Sequence, residues 1–173
     1  GNHFNWGLNN QGQVGVSDIV HRSSPVQTVA GGSNWKQTAT SWYSSHGIKT
    51  DGRLWSWGAS ADGQLGDGTS TRKSSPVSVG SLQNWKAVSG GAYHVVASKT
   101  DGTIWAWGWN GHGMLGDNTI IHRSSPVQIG TNTNWKIVSA GYYHTVGLKS
   151  NGTLWGWGNN IFGECATNTN SNS

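Results

Sequence analysis

"RSSPVQIG", residues 123–130, returns as "RSSPVQTV" at residues 22–29 and as "KSSPVSVG" at residues 73–80. A phrase that recurs every 50 or 51 residues marks an internal repeat, and a repeat decides architecture before any single motif does. Its flanks keep the same register: Trp6-Gly7, Trp57-Gly58, Trp107-Gly108 and Trp157-Gly158; Pro25, Pro76 and Pro126; Asn34-Trp35-Lys36, Asn84-Trp85-Lys86 and Asn134-Trp135-Lys136. Gly1 falls in the column of Gly52, Gly102 and Gly152. The 173 residues therefore hold three periods, approximately 1–51, 52–101 and 102–151, and a partial one over 152–173.

Within Pro126–Gly158, "PVQIG", "WKIVSAG", "HTVGLKS" and "TLWGWG" are short runs rich in β-branched and aromatic residues, separated by Gly, Asn, Ser and Thr. They read as four antiparallel strands. Asp51-Gly52, Asp101-Gly102 and Asn151-Gly152 predict type I′ hairpin turns joining the third strand to the fourth. In that fourth strand Trp55 and Trp57, Trp105 and Trp107, and Trp155 and Trp157 stand two residues apart, so each pair faces one side of its sheet and packs on the neighbouring one. The fold class is all-β, a β-propeller of four-stranded antiparallel blades of roughly 50 residues. Residues 1–173 form a partial propeller of about three blades, and rings use roughly four to eight. Further repeats in a longer chain or association of copies would complete the ring; both ends cut a repeat, which favours the longer chain. The absence of an initiating Met fits the same expectation.

Composition agrees. Charged residues make up 10% of the chain, while 27 glycines and 12 tryptophans suit short strands, tight turns and aromatic packing between sheets. No window has a 3.6-residue apolar period and none is a continuous apolar span of membrane length, which argues against membrane insertion. Cys165, the one cysteine, shares a column with Val14, Leu65 and Leu115 and reads as an apolar filler.

"LWSWGASADGQLGDGT" (54–69), with "SGGAYHVVASKTDGTIWAWG" (89–108), resembles the repeat of the regulator of chromosome condensation family, a W-G-x-N-x-x-G-Q-L-G loop plus a G-G-x-x-H-x-x-A-L strand. The resemblance covers essentially the whole chain and implies a seven-bladed ring. That family includes a nuclear exchange factor for a small GTPase, a plant ultraviolet-B photoreceptor, and bacterial and bacteriophage proteins; the Trp-, Asn- and Ser-rich "SSPVQ…NWK" dialect is similar to the last group. The photoreceptor's light-sensing tryptophans lie in a G-W-R-H-T motif, and the matching stretches here, "GAYHV" and "GYYHT", lack it, with Trp42 as a near equivalent. The first copy departs from its siblings. Ser44 replaces the histidine of His94 and His144, and Ser41 replaces Gly91 and Gly141, which predicts a locally different strand.

Chemical motifs are sparse. Gly111–Gly116 spells G-x-G-x-x-G, but a dinucleotide site needs a parallel strand before it and a helix after it; a repeat turn is the better reading. His94 and His144 recur one blade apart, so they read as separate buried structural histidines bonded to backbone rather than as a metal pair. Neither paired carboxylates nor a nucleophile–base arrangement can be argued from seven acidic residues. The reading is therefore a non-enzyme without a cofactor. Ten of the eleven basic residues fall in columns: Arg22, Lys73 and Arg123; Lys36, Lys86 and Lys136; Lys49, Lys99 and Lys149; and Arg72 beside Lys73. A ring would display each as an arc of charge for an acidic partner, or as solvated turns, since aspartates neighbour several of them and the net charge is only +4.

The expected function is a structural and binding scaffold, a component of a bacteriophage virion or bacterial surface whose loops contact proteins or glycans, further propeller repeats included. Nucleic acid is disfavoured as a partner. The alternative is a regulatory propeller binding a small GTPase or chromatin. The contact residues expected are Trp109 and His112, Arg72 and Lys73 in the loops after the Trp-x-Trp strands, and Trp42 on the divergent blade.

Overall fold

Runs such as "WKAVSG" and "HVVASK" place apolar residues at strand spacing, and each ends in glycines or polar turn residues that stop it. The computed structural model describes residues 1–29 and 32–166; residues 167–173 of the partial repeat lie outside them. The described residues form thirteen strands and no helix. One sheet joins β3 (Trp35–Thr40), β4 (Ser44–Lys49), β5 (Leu54–Gly58) and β6 (Lys73–Ser78) in that order. The next joins β7 (Trp85–Gly90), β8 (His94–Lys99), β9 (Ile104–Gly108) and β10 (Arg123–Gln128). A two-stranded sheet, β1 (Phe4–Gly7) with β2 (Arg22–Gln27), stands before them, and a three-stranded one, β11 (Trp135–Ala140), β12 (His144–Lys149) and β13 (Leu154–Gly158), after them. All pairs are antiparallel. Strands β3, β7 and β11 contact one another from sheet to sheet, as the inner strands of adjacent propeller blades do.

The grouping of strands differs from the sequence expectation. "PVQ" of residues 126–128 belongs to β10 and pairs with β9, so it closes the preceding sheet instead of opening the one built on Trp135. The Trp-x-Trp strand is accordingly third in its sheet. The cause lies in the loop between β9 and β10. Asn110 is fully buried; its Nδ2 donates to Thr119 O (2.9 Å), Ile121 O (3.2 Å) and Asp117 Oδ1 (3.0 Å), and its Oδ1 accepts from Leu115 N (3.0 Å). One side chain thus folds a long loop into a knot that returns the chain onto β9. Asn9 does the same for the first loop.

The hairpin turns also differ. Gly52, Gly102 and Gly152 have φ of +79°, +81° and +85°, but Asp51, Asp101 and Asn151 do not enter the left-handed region, so these are not type I′ turns. Asp101 Oδ1 accepts from Thr103 N (3.0 Å) and Oγ1 (2.7 Å), which fixes Asp101 at an ordinary φ and leaves the positive φ to glycine alone.

Sheets lock together through tryptophan. Trp57, Trp107 and Trp157 donate from Nε1 to Gln13 O (2.9 Å), Gln64 O (2.9 Å) and Met114 O (3.0 Å) of the preceding sheet's loop. Opposite each indole stands a glycine of that loop: a Cβ on Gly15, Gly66 or Gly116 would lie 2.7, 2.8 or 2.6 Å from the indole nitrogen. Trp57 and Trp107 are wholly buried, each contributing roughly 3–5 kcal/mol against truncation.

The first blade's departure has a local explanation. A Cβ on Gly91 would meet the His94 ring, so glycine and histidine go together in that sheet, as they do at Gly141 and His144. Ser41 and Ser44 replace both at once, and their hydroxyls bond His46 Nε2 at 3.2 Å each while Ser56 Oγ bonds its Nδ1 at 2.9 Å. The strand itself is unchanged: β4 pairs with β3 and β5 in the register of β8 with β7 and β9. The polar group is relocated and the backbone is not. His94 is buried, and its Nε2 bonds a side chain of the next blade, Thr145 Oγ1 (3.0 Å).

Candidate functional site

The turns between the first two strands of each sheet are drawn into a row. Trp42 N donates to Ala92 O (3.4 Å) and Ala92 N to Tyr142 O (3.2 Å), which stitches three consecutive turn tips together. Each tip carries aromatic residues: Trp42-Tyr43, Tyr93 and Tyr142-Tyr143. Loop residues add to them, because Trp109 N donates to Tyr93 O (2.9 Å) and brings its indole to the turn.

The result is a continuous belt of rings. Trp42 stacks on Tyr43 at 5.4 Å between centroids and lies 5.4 Å from Tyr93 and 5.7 Å from Tyr142. Tyr93 continues to Tyr143 (6.3 Å) and Trp109 (6.3 Å), and Trp109 to Tyr143 (5.3 Å) and His112 (5.2 Å). Trp42 and Tyr142 are half exposed, at 50% and 52%. Beside them a shallow cavity of about 500 Å³ is lined by Ser41, Trp42, Gly91, Gly141 and Tyr142. Partial burial, and then the other tyrosines, hold the Tyr93 and Tyr142 phenols above their ordinary range; both are neutral hydrogen-bonding rings at physiological pH. Exposed rings with a polar tip are the anchors that contact surfaces favour.

Of the expected contact residues, the structure brings Trp42, Trp109 and His112 into this belt. Arg72 and Lys73 make no ring contact with it among the described residues. Arg72 Nη1 donates to Asn10 O (3.3 Å), and Lys73 bonds Thr71 Oγ1 (3.1 Å) and pairs with Asp67 (3.8 Å). Tyr43, Tyr93 and Tyr143, absent from the sequence expectation, form its backbone. Their recurrence in one column is the signal that would have found them.

The basic columns separate by environment. Lys49, Lys99 and Lys149 are neither an arc of charge nor solvated turn residues. Each ammonium sits between two indoles, Lys99 Nζ lying 4.8 Å from Trp85 and 3.5 Å from Trp105, and Lys49 and Lys149 repeating the arrangement. Burial lowers the Lys99 pKa. Arg22 and Arg123 pair with Asp18 and Asp117 at 2.5 and 2.8 Å. Lys36, Lys86 and Lys136 are the exposed column, on the adjacent inner strands β3, β7 and β11.

Other motifs settle into structural roles. Gly111–Gly116 lies in the loop between antiparallel β9 and β10 and opens no helix. His21 and His122 are exposed, and their Nδ1 atoms accept from Asn9 N and Asn110 N at 3.0 Å, tying them to the loop knots. Cys165 is buried in the loop after β13. Among the described residues no group of His, Cys, Asp and Glu is placed to hold a metal ion.

Comparison with known proteins matches the repeat described as "Regulator of chromosome condensation (RCC1) repeat" to residues 51–98 and 101–148, and a second form of it to 85–113 and 135–164. The ultraviolet-B receptor UVR8 of Arabidopsis thaliana is 30% identical over 83 residues, 47% of this chain and 19% of that protein. Human WBSCR16 superposes with a TM-score of 0.84 at 23% identity, over 98% of this chain and 45% of its own. Prp20p of Saccharomyces cerevisiae, described with its binding to Gsp1p and histones, superposes with a TM-score of 0.76 at 20% identity, over 92% and 40%. The chain spans less than half the length of each, and the structural likenesses speak for the fold.

Proposed function

The chain belongs to the regulator of chromosome condensation repeat family, and from that premise we propose that it is a non-catalytic propeller scaffold whose aromatic belt contacts a protein or a glycan. The observation that carries this reading is the unbroken ring-to-ring contact from Trp42 through Tyr93 to Trp109 and His112. Rings shared by three sheets on a stitched backbone are rigid, so a partner stacking on them loses little of its binding energy to ordering the surface. The setting that fits the repeat's dialect is a bacteriophage virion or bacterial surface, with other proteins of that particle, or their glycans, as partners.

The test is a screen of glycans and surface proteins of the source particle, followed by Trp42→Ala and Trp109→Ala. Each substitution is expected to weaken the hit at least tenfold, as interface anchors do, with both variants still folded by circular dichroism. Binding that survives both substitutions would remove the belt as the site.

A second reading rests on the exposed Lys36, Lys86 and Lys136. Three cations on adjacent inner strands suit an acidic macromolecule, as a regulatory propeller acting on a small GTPase or chromatin would need. Nucleotide-release assays and salt-dependent binding separate it from the first, since an electrostatic partner weakens steeply with salt.

A further inference from the structure

Ala59 and Trp109 open the same loop of successive repeats, and the backbone holds them alike: Ala59 N donates to Tyr43 O (2.8 Å) as Trp109 N does to Tyr93 O (2.9 Å). Their side chains differ. The Trp109 indole fills the interval between Tyr93 of its own sheet (6.3 Å) and Tyr143 of the next (5.3 Å), with His112 edge-on to it (5.2 Å). One sheet earlier, the interval between Tyr43 and Tyr93 receives only the methyl of Ala59. A cavity of about 210 Å³ opens there, lined by Gln11, Tyr43, Ala59, Ala61, Asp62 and Tyr93. Loops or turns of three successive sheets frame it.

The filled copy gives the shape of an occupant. A Cβ on Gly111 would stand 2.5 Å from Trp109 Cζ2, and Ala61, in the column of Gly111, carries that methyl. The slot therefore admits a flat group shorter than an indole. Asp62, in the column of His112, gives the charge. Asp18, Asp51, Asp67 and Asp117 each pair with an arginine or lysine at 3.8 Å or less, whereas Asp62 pairs with none among the described residues, its Oδ2 accepting from Gln64 Nε2 (3.3 Å). Arg72 donates to Asn10 O (3.3 Å), beside Gln11, and leaves Asp62 unpaired. The carboxylate is near enough to Tyr93 that its charge, after burial and the neighbouring tyrosines, helps to raise that phenol's pKa.

We infer that this slot binds a guanidinium group, an arginine side chain of a protein partner laid between Tyr43 and Tyr93 with its N–H edge on Asp62. A guanidinium is flat, stacks on aromatic rings and presents paired donors to a carboxylate. A lysine ammonium is compact and strongly hydrated, and so does not match a slot cut for a ring. A pyranose fits the slot but brings no charge to Asp62. The inference rests on the reading of the belt as a contact surface and narrows its partner to a protein.

N-acetyl-arginine amide, titrated into the isotope-labelled full chain and followed by nuclear magnetic resonance at the backbone amides of residues 59–64, 92 and 93, tests this. Saturable shifts centred on those residues are expected, with N-acetyl-citrulline amide, the uncharged isostere, binding about tenfold more weakly for want of a charge-assisted pair. Asp62→Asn should weaken the arginine amide by a similar factor. Ala59→Trp with Ala61→Gly copies the pair that Trp109 and Gly111 form one sheet on, fills the slot and should abolish the shifts; Asp62→Asn decides the matter if that variant does not fold. The assignment is overturned if no saturable shift is seen, if the citrulline amide binds equally, if Asp62→Asn binds as the parent does, or if a methyl pyranoside moves the same resonances at lower concentration. Belt and slot fail separately: a partner lost on Trp42→Ala, with no saturable shift from the arginine amide, keeps the belt and overturns the slot.

Discussion

His46 and His94 are enclosed on every side, and burial lowers both pKa values from 6.5 to about 3, with the nearby His144 adding to the effect at His94. The folded state therefore refuses protons that the unfolded chain accepts below pH 6.5. Stability is complete above that value and falls as the pH drops from 6.5 toward 3, each histidine forfeiting about 2 kcal/mol by pH 5. Urea midpoints at pH 7.5 and pH 5 should show this loss. The tautomer also follows from geometry: Thr145 Oγ1 donates to Met114 O (2.8 Å), so it accepts from His94 Nε2–H. His46 answers to three serines instead, because Val95, which holds the place of Thr145 one blade earlier, offers no acceptor to a histidine at position 44. His46→Val should cost about 2 kcal/mol at pH 7 by stripping the serine hydroxyls of their partner, and adding Ser56→Ala should return part of it. It should also halve the acid sensitivity. An unaltered difference between the pH 7.5 and pH 5 midpoints in His46→Val would refute the assignment.

At the scale of the strand and loop, the glycine columns are set by what the next sheet places against them. Gly66 and Gly113 share a positive φ, +69° and +74°, but only Gly66 faces an indole. Gly66→Ala should therefore destabilise the chain by about 2 kcal/mol more than Gly113→Ala, the strain of a left-handed alanine being common to both and the overpacking against Trp107 being extra. Equal midpoints in denaturant would show that conformation alone selects the glycine. Ala166, in the same column, carries its methyl at a φ of +54°. This coupling is why so much of the fold was legible. Period, strand identity and the Trp-x-Trp face are local patterns repeated in register. The grouping of strands was not, because it depends on hydrogen bonds of the buried side chains of one column, Asn9, Ser60 and Asn110, that turn each long loop into a hairpin. Nor was the belt, which arises only when backbone bonds from Trp42 to Ala92 to Tyr142 align tips from three sheets. The lysine clamps escaped for the same reason: Lys99 is one residue from a turn in sequence and between two tryptophans in space.

Across the whole molecule, the strands of each sheet pack on those of its neighbours, with Trp42 reaching Tyr142 only at the turn tips, so stability is carried by the interfaces between sheets rather than by one central core. The interfaces are unequal. Trp107 is fully buried where the two four-stranded sheets meet and Trp57 against the loop of the first sheet, whereas Trp6 is 63% and Trp155 51% exposed on the first and last sheets. Trp107→Ala removes a full complement of contacts and the bond to Gln64 O, and should cost about 3–5 kcal/mol. Trp155→Ala gives up half-solvated surface and should cost about 2 kcal/mol. An array of this kind opens from its less covered sheets before its middle. Amide exchange is thus expected to be slowest in β4, β5, β8 and β9, and faster in β1, β2 and β13, whose opening exposes little further apolar surface. Trp107→Ala should erase that gradient by uncoupling the central pair, while Trp155→Ala should speed exchange only in β11–β13. Uniform protection across all four sheets, falling uniformly in both variants, would instead mean that the sheets unfold as one unit and that the interfaces are not the seat of stability.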